Sequence, residues 1–434
     1  MSLKASYHTL GCKLNFSETS TIAAMLAQKG IERIEERERP DICVVNTCSV
    51  TGNADKKGRQ LIRSLHSKYP DASIIVTGCY AQLKPQEVSQ LPGVVLVLGS
   101  NEKLRISQYV DSWLSSHGKT VDTTSPLEIK EFLPSCERGD RTRYFLKVQD
   151  GCDYFCTYCT IPYARGRSRS GEISALVAMA EEAAAKGGKE IVLTGVNIGT
   201  FGKDHGEDFF SLIRALDNVE GIERYRISSI EPNLLTDEIL EWISCKSRAF
   251  MPHFHIPLQS GSDKVLKLMN RRYDTALFAS RIKKIRELMP DAYIGVDIIA
   301  GARGETDAEW EKSYGFAKSL DVEKFHAFPY SERAGTKALL LAESVPQNIR
   351  YHRVGMLNDL SNEKTAKFIE RNIGKVRKVL WEKSGSGKLL HGLTDNYIRI
   401  EAPFLPDMIN RISEVRIISA KEKESDCALG MHVG

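Results

Sequence analysis

Residues 144–159 read YFLKVQDGCDYFCTYC: a run with strand character, and directly behind it Cys152, Cys156 and Cys159 at C-x3-C-x2-C spacing. Five more strand-like runs follow: EIVLTGVNI from 190, RYRISSI from 224, HFHIPLQ from 253, YIGVDIIAG from 293 and KFHAFPY from 324. Helical stretches such as 173–186 and 275–288 separate them. Strands alternating with helices build parallel βαβ units. Six of them predict a partial (β/α)6 barrel, two units short of the closed eightfold form, with a gap left for another domain or a large substrate. Active sites of such barrels gather at the carboxyl ends of the strands, which is where the three cysteines fall.

The flanks read differently. From Tyr7 to about Leu98 short apolar runs (YHTLGC, DICVVNTC, ASIIVTGC, GVVLVLG) alternate with helical stretches, a first one over 17–29 and a basic one through 59–69. That pattern predicts an open parallel α/β sheet. Residues 116–137 keep no period and carry turn residues, so they read as a linker. After the last barrel helix, KVRKVLWEK, KLLHGLTDNYIRIEA and RISEVRIISAKEK are short strands separated by Gly, Asn and Pro, the pattern of a small all-β barrel. The chain is therefore read as α/β, divided into 1–115 (sheet domain), 116–137 (linker), 138–369 (barrel domain) and 370–434 (β barrel).

Composition excludes other classes. In 434 residues, 42% hydrophobic and 27% charged content fits globular cores, not disorder or collagen. No apolar run approaches the roughly 18 residues of a membrane span, and the N-terminus MSLKASYHTLGC has no signal-peptide core, so a cytoplasmic protein without membrane attachment is expected. The net charge of +4 is too even to argue for nucleic acid, though 371–434 carries 11 Lys+Arg against 8 Asp+Glu. GSGK at 385–388 is not a phosphate loop, because Glu382 stands in the place of its first glycine and Leu389 follows the lysine.

Ten cysteines in a cytosolic chain point to metal or catalysis rather than disulfides. The chance of the 152/156/159 spacing arising at random is roughly 0.005. Three thiolates can hold three irons of a 4Fe-4S cluster and leave the fourth open to a ligand. Structural zinc is the alternative, but it wants a fourth Cys or His, and Cys136 is the sole cysteine nearby. A second set, Cys12, Cys48 and Cys79, each follows a predicted strand, at spacings of one βαβ unit. Parallel strands line up their carboxyl ends along one sheet edge, so these thiols can converge. Cys43 sits mid-strand and reads as core, while Cys136, Cys245 and Cys427 read as structural. Two further readings stay open on these residues: a single-cluster enzyme whose sheet domain only recognises substrate, and a zinc protein that binds RNA.

C-x3-C-x2-C with Tyr158 before the last cysteine resembles the signature of radical S-adenosylmethionine (SAM) enzymes. With TLGCKLN, VNTCSVT and TGCYAQ in front, and HIPLQSGSDKVLKLMNRRY and YSERAGTKA behind, the whole chain resembles the radical SAM methylthiotransferases. The resemblance implies two 4Fe-4S clusters, one on Cys152, Cys156 and Cys159 and an auxiliary one on Cys12, Cys48 and Cys79. It also implies SAM as cofactor, a radical-SAM barrel and a TRAM-like C-terminal domain that contacts tRNA. By the same resemblance, one SAM would methylate a sulfur held at the auxiliary cluster and a second would yield a radical that removes hydrogen from C2 of an adenine. Lys13 in TLGCKLN and PYARGRSRS look most like the group acting on N6-threonylcarbamoyladenosine at position 37 of tRNA, with prenylated adenosine or a ribosomal-protein aspartate as alternatives. An electron donor and a sulfur source are further expected partners, and the enzyme is expected to be a monomer.

Matching positions imply SAM contacts at Tyr158, Gly195, Asn197, Ser229, Glu231, Gln259 and Asp297. No residue is expected to act as a general acid or base, because a purine C–H has no useful acidity. For RNA, Arg165, Arg167 and Arg169 after the cluster, and Lys375, Arg377, Lys378, Tyr397 and Arg399 in the last domain, are the expected contacts. One departure stands out: where the family reads Gly-Phe-Pro-Gly-Glu-Thr, this chain has Gly301-Ala302-Arg303-Gly304-Glu305-Thr306, which predicts a looser loop.

Overall fold

The computed structural model describes residues 2–34, 38–139, 141–341, 344–382, 389–421 and 426–433. The 385–388 segment weighed above lies outside these residues.

Strands β1 (Lys4–Thr9), β2 (Glu32–Arg33), β3 (Ile42–Thr47), β4 (Ser73–Gly78), β5 (Val94–Leu98) and β6 (Thr120–Asp122) form one parallel sheet ordered β2-β1-β3-β4-β5-β6. Every residue of β3 is buried, because alternate side chains enter two different cores. Cys43 and Val45 join Ile62, Val76 and Val97 on one face; Ile42 and Val44 join Ile22, Leu26 and Ile75 on the other. A sheet covered on both faces needs such continuous apolar runs. The first helix spans Lys13–Ala27, four residues earlier than expected, because Cys12 takes the extended cap conformation and Asn15 donates to the carbonyls of Leu10 and Thr47.

The stretch expected to be a linker is instead structured at both ends. Its β6 extends the first sheet, and β7 (Ser135–Glu137) pairs antiparallel with β8 (Tyr144–Lys147) of the barrel. Three-residue strands are too short to leave a readable period.

The barrel runs β8, then β11 (Glu190–Thr194), β12 (Arg224–Ile227), β13 (His253–Gln259), β14 (Tyr293–Ala300) and β15 (Lys324–Pro329), after the short antiparallel pair β9 (Gln149–Asp150) and β10 (Arg169–Ser170). All five neighbouring pairs are parallel, with β12 meeting β13 through single bridges at Tyr225–Phe250 and Ser229–His255. Among the described residues no pairing joins β15 back to β8, so the barrel is open. A 26-residue helix, Gln347–Asn372, leads from it to β16 (Val376–Glu382), β17 (Leu389–Thr394), β18 (Arg399–Pro403), β19 (Ile412–Ala420) and β20 (Cys427–His432), a closed barrel ordered β16-β17-β18-β20-β19 around Trp381. Arg224 and Arg226 fasten it to the larger barrel by donating to the carbonyls of Lys378, Leu393, Thr394 and Asp395. Among the described residues no helix is long and apolar enough to cross a membrane.

Candidate functional site

Cys12, Cys48 and Cys79 follow β1, β3 and β4, three adjacent strands, and so share one carboxyl edge of the sheet. Two glycines make room for them. Gly11, at φ +108°, lets Cys48 approach to where a Cβ would stand 2.7 Å from the Cys48 Cβ. Gly78, at φ +94° and ψ −167°, turns β4 into the helix that starts at Cys79; a Cβ there would lie 2.3 Å from the Thr47 carbonyl oxygen. That backbone region is essentially closed to other residues. Gly78→Ala is therefore expected to cost about 1–3 kcal/mol in urea denaturation and to lower the iron retained. An unchanged midpoint would mean that the turn relaxes freely. Burial pushes the Cys48 thiol up to about 11, helped by Cys79 and Cys12, and pushes Cys79 up as well against the pull of Arg165.

Cys152, Cys156 and Cys159 occupy the loop after β8 and β9. The loop is anchored on both sides: Thr157 N–H donates to Met269 O, its hydroxyl donates to Leu268 O, and its own carbonyl accepts from Ala338 N–H. Backbone N–H groups of Tyr154 and Ile161 point at the sulfurs of Cys152 and Cys159, at 3.5 and 3.4 Å. Arg271 lies 3.2 Å from the Cys156 sulfur and is ion-paired to Glu231. Burial raises all three thiols, Cys152 to about 11 and Cys159 to about 12, while Arg271 opposes it at Cys156. Arg271 lies in the HIPLQSGSDKVLKLMNRRY stretch, but no role is expected of it from the sequence. Among the described residues no three His, Cys, Asp or Glu side chains group closely enough to hold one metal ion. Cys136, the fourth ligand that zinc would want, lies on β7 beside Glu137, with Glu182 and Lys186 of the outer helix as its charged neighbours.

The segments bearing the two trios touch. Thr160, next to Cys159, donates to the carbonyl of Ser49, next to Cys48, at 3.5 Å. Arg333, from beyond β15, donates to the Ser49 hydroxyl at 2.7 Å and to Asp55 at 2.9 Å. Beneath lies a buried network: Arg165 bridges Glu18 (2.9 Å), Asp150 (3.0 Å) and Asn15 (2.7 Å), while Lys103 and Lys147 bind Glu18 at 2.7 and 3.2 Å. Lys147 and Arg169 also reach Asp150. Four cations against two carboxylates leave a buried excess of positive charge, and the charge of Arg165 reaches Cys79. Such an excess suits thiolates.

The residues expected to meet SAM spread over the carboxyl ends of successive strands. Asn197 stands 4.0 Å from the Cys152 sulfur, and its side-chain oxygen is buried without a partner. Buried polar atoms are rarely left so. Gly195 packs against Ile198 and Gln149, where a Cβ would be 2.7 Å from the Ile198 side chain. Tyr158 and Glu231 gather around Arg271. Gln259 ends β13 in the left-handed region at φ +65°, a strain typical of working sites. Ser229 bridges to β13. Asp297 binds His255 at 2.8 Å, and His255 stacks on His326, further inside the barrel.

Three arginines expected on RNA are committed elsewhere. Arg165 is 1% exposed and Arg169 7% exposed, both inside the network above, since their cationic heads are the partners of Glu18 and Asp150. Arg377 pairs with Asp291 and Asp395 and holds the small barrel in place. Arg167 is exposed beside Asp153 and Phe155. Lys378 and Arg399 are exposed, and Lys375 pairs with Asp291 at 2.7 Å. Tyr397 turns inward onto His253, with ring centroids 4.1 Å apart. Arg303 tightens its loop instead of loosening it: it binds Glu332 at 3.1 Å and the Leu341 carbonyl at 2.6 Å, in place of the rigidity of a proline.

The Uncharacterized protein family UPF0004 matches residues 4–99, and the Radical SAM superfamily matches residues 146–317. The chain is 37% identical to the threonylcarbamoyladenosine tRNA methylthiotransferase MtaB of Bacillus subtilis (strain 168), over 96% of this chain and 94% of the relative. It is 36% identical to the protein of the same name from Aquifex aeolicus (strain VF5), over 92% and 96%. It is 33% identical to a tRNA-2-methylthio-N(6)-dimethylallyladenosine synthase of Clostridium botulinum (strain Hall / ATCC 3502 / NCTC 13319 / Type A), over 95% and 94%. Among solved structures, the radical SAM methyltransferase TsrM from Kitasatospora setae superposes with a TM-score of 0.54 at 14% identity, over 76% of this chain and 72% of that one. That likeness concerns the fold.

Proposed function

The chain belongs to the radical SAM methylthiotransferases, and from that premise we propose that it adds a methylthio group to C2 of N6-threonylcarbamoyladenosine at position 37 of tRNA. The observation that carries this reading is the contact of Thr160 with Ser49, which brings the Cys159 and Cys48 segments side by side. A reaction that takes hydrogen from one ring carbon and puts sulfur on it needs both sets of thiols at one substrate atom.

The residues fit the groups such chemistry requires. Cys152, Cys156 and Cys159 would hold one 4Fe-4S cluster and leave an iron for SAM; Cys12, Cys48 and Cys79 would hold the other. The first supplies electrons for cleaving SAM, and the second a place for the sulfur to be transferred. Around them the chain positions and excludes. The unpartnered Asn197 oxygen is an acceptor for an ammonium or hydroxyl group, Gln259 and Ser229 offer further polar atoms at strand ends, and Tyr158 offers a ring. Arg271 holds Glu231 in place and puts a positive charge beside the Cys156 sulfur. We assign 1–115 to the auxiliary site, 138–369 to the radical site and 370–434, as a TRAM-like domain, to tRNA, with Lys378 and Arg399 as its exposed cations and Arg167 as the exposed one beside the radical site. We further infer a monomer acting in the cytoplasm, supplied with electrons and sulfur by other components.

The test is mass spectrometry of tRNA nucleosides from cells lacking the protein. The methylthio derivative of threonylcarbamoyladenosine should vanish while its precursor accumulates. Loss of the methylthio prenyl derivative instead would move the protein to the Clostridium-type reaction.

A further inference from the structure

A cleft of about 440 Å³ opens beside Cys12, lined by Lys13, Phe16, Thr19, Arg33 and Arg141 among others, with no acidic residue on its wall among the described residues. Arg141 lies over the Phe16 ring at 4.3 Å. Lys13 is half-buried and makes no ion pair or hydrogen bond among the described residues. Its surroundings set it apart from the nearby arginines. Arg143 is held by Glu382 at 2.8 Å and Glu190 at 3.7 Å, and Arg226 by Glu190 at 2.8 Å, so those charges are already answered. Lys13 is also the first residue of its helix, where the backbone dipole favours anions and a cation is unfavourable. Helix stability does not explain a lysine there. Glu190 and the Tyr397 hydroxyl act on Lys13 from a distance but neither is paired with it, and a partly desolvated ammonium without an ion pair is a site for an anion brought by a ligand.

We propose that Lys13 selects the substrate by binding the carboxylate of the N6-threonylcarbamoyl group. The inference rests on the function proposed above and deepens it. C2 and C6, which bears N6, flank N1 on one edge of adenine, so when C2 is presented to the Cys12 site the N6 substituent lies alongside it. Lys13 follows Cys12 directly, on the wall of that cleft. Threonylcarbamoyl carries a carboxylate, a hydroxyl and urea-type N–H groups; a prenyl chain carries no polar atom and would leave the ammonium unanswered. Rejection of a ligand that leaves a buried polar group unpaired is stronger than rejection by shape alone.

The experiment compares the cluster-reconstituted protein with Lys13→Gln and Lys13→Arg, using fluorescence anisotropy with two anticodon stem-loops that differ in carrying threonylcarbamoyladenosine or plain adenosine. The unaltered protein should prefer the modified RNA. Lys13→Gln should lose about tenfold or more of its affinity for that RNA and bind the plain RNA as before, with unchanged iron content; Lys13→Arg should recover most of the preference. Equal weakening toward both RNAs would place the lysine on phosphate and overturn the proposal, as would no weakening toward either. Product analysis of the unaltered protein separates the two levels. If it converts threonylcarbamoyladenosine while Lys13→Gln still discriminates, this proposal alone fails. If it converts the prenylated nucleoside instead, the underlying function fails with it.

Discussion

Replacing Cys12, Cys48 and Cys79 together with alanine is expected to halve the iron of the anaerobically reconstituted protein and to abolish methylthio product. SAM cleavage at the other trio should persist. The sequence places each of the three at a strand end, and the fold brings those ends to adjacent positions on one edge. Each substitution deletes one methyl-sized thiol group, so ligand sulfur is removed at a packing cost of about 1 kcal/mol where the site is buried, as at Cys79. The electron-rich ligands vanish while Lys103, Lys147, Arg165 and Arg169 stay, so a colourless auxiliary site should result even at high iron and sulfide. Iron titration with the absorbance of the reconstituted protein measures the first effect, and 5′-deoxyadenosine release against nucleoside product measures the second. Iron equal to that of the unaltered chain would mean that the three thiols hold nothing, and retained product would reduce the sheet domain to substrate recognition. Loading should also fall at low pH: the thiols of Cys48 and Cys79 are raised by burial, and each must lose its proton to bind iron.

Most of this architecture is legible in the chain because its signals are local. The six barrel strands lie where runs such as HFHIPLQ and YIGVDIIAG place them, and the cysteines announce themselves by spacing. What escapes is pairing across distance. Arg165, Arg169 and Arg377 look like RNA contacts because a run of arginines beside a site is read as a surface, yet their partners Glu18, Asp150 and Asp291 stand 147, 19 and 86 residues away along the chain. No window that short contains both charges. Arg271 is hidden in the same manner, its partners Cys156, Tyr158 and Glu231 being 115, 113 and 40 residues distant. β6 and β7 are missed for the opposite reason: each gains its stability from a neighbouring strand and has only three residues in which to show alternation.

Arg165→Ala is expected to destabilise the metal-free protein by about 3–5 kcal/mol, far more than the loss of an exposed arginine. Its guanidinium, 1% exposed, makes four hydrogen bonds, to both oxygens of Glu18 and to Asp150 and Asn15. Glu18 and Asn15 belong to the sheet domain, Asp150 to the barrel, so one side chain joins the two units that carry the two trios. Burial by itself would raise Glu18, but Arg165, Lys103 and Lys147 outweigh it and hold its carboxyl well below the ordinary range; Asp150 is held down likewise, by Lys147 and Arg165. Groups depressed in the folded state stabilise it fully above their unfolded pKa, about 4.3 for Glu and 3.9 for Asp, and lose that contribution as pH falls toward the folded values. The unaltered protein should therefore lose stability steeply below about pH 4. In Arg165→Ala the protein should start less stable at neutral pH and lose less as pH falls, because the Glu18 carboxyl is depressed less once its largest opposing cation is gone. Urea denaturation across pH 3–7 reads both effects. A double variant, Glu18→Gln with Arg165→Met, should cost less than the two single changes added, since it removes the uncompensated charge along with its partner. Strict additivity would show that the two residues act independently, and the sheet domain would then be held against the barrel by its other contacts, among them Arg333 with Ser49 and Asp55.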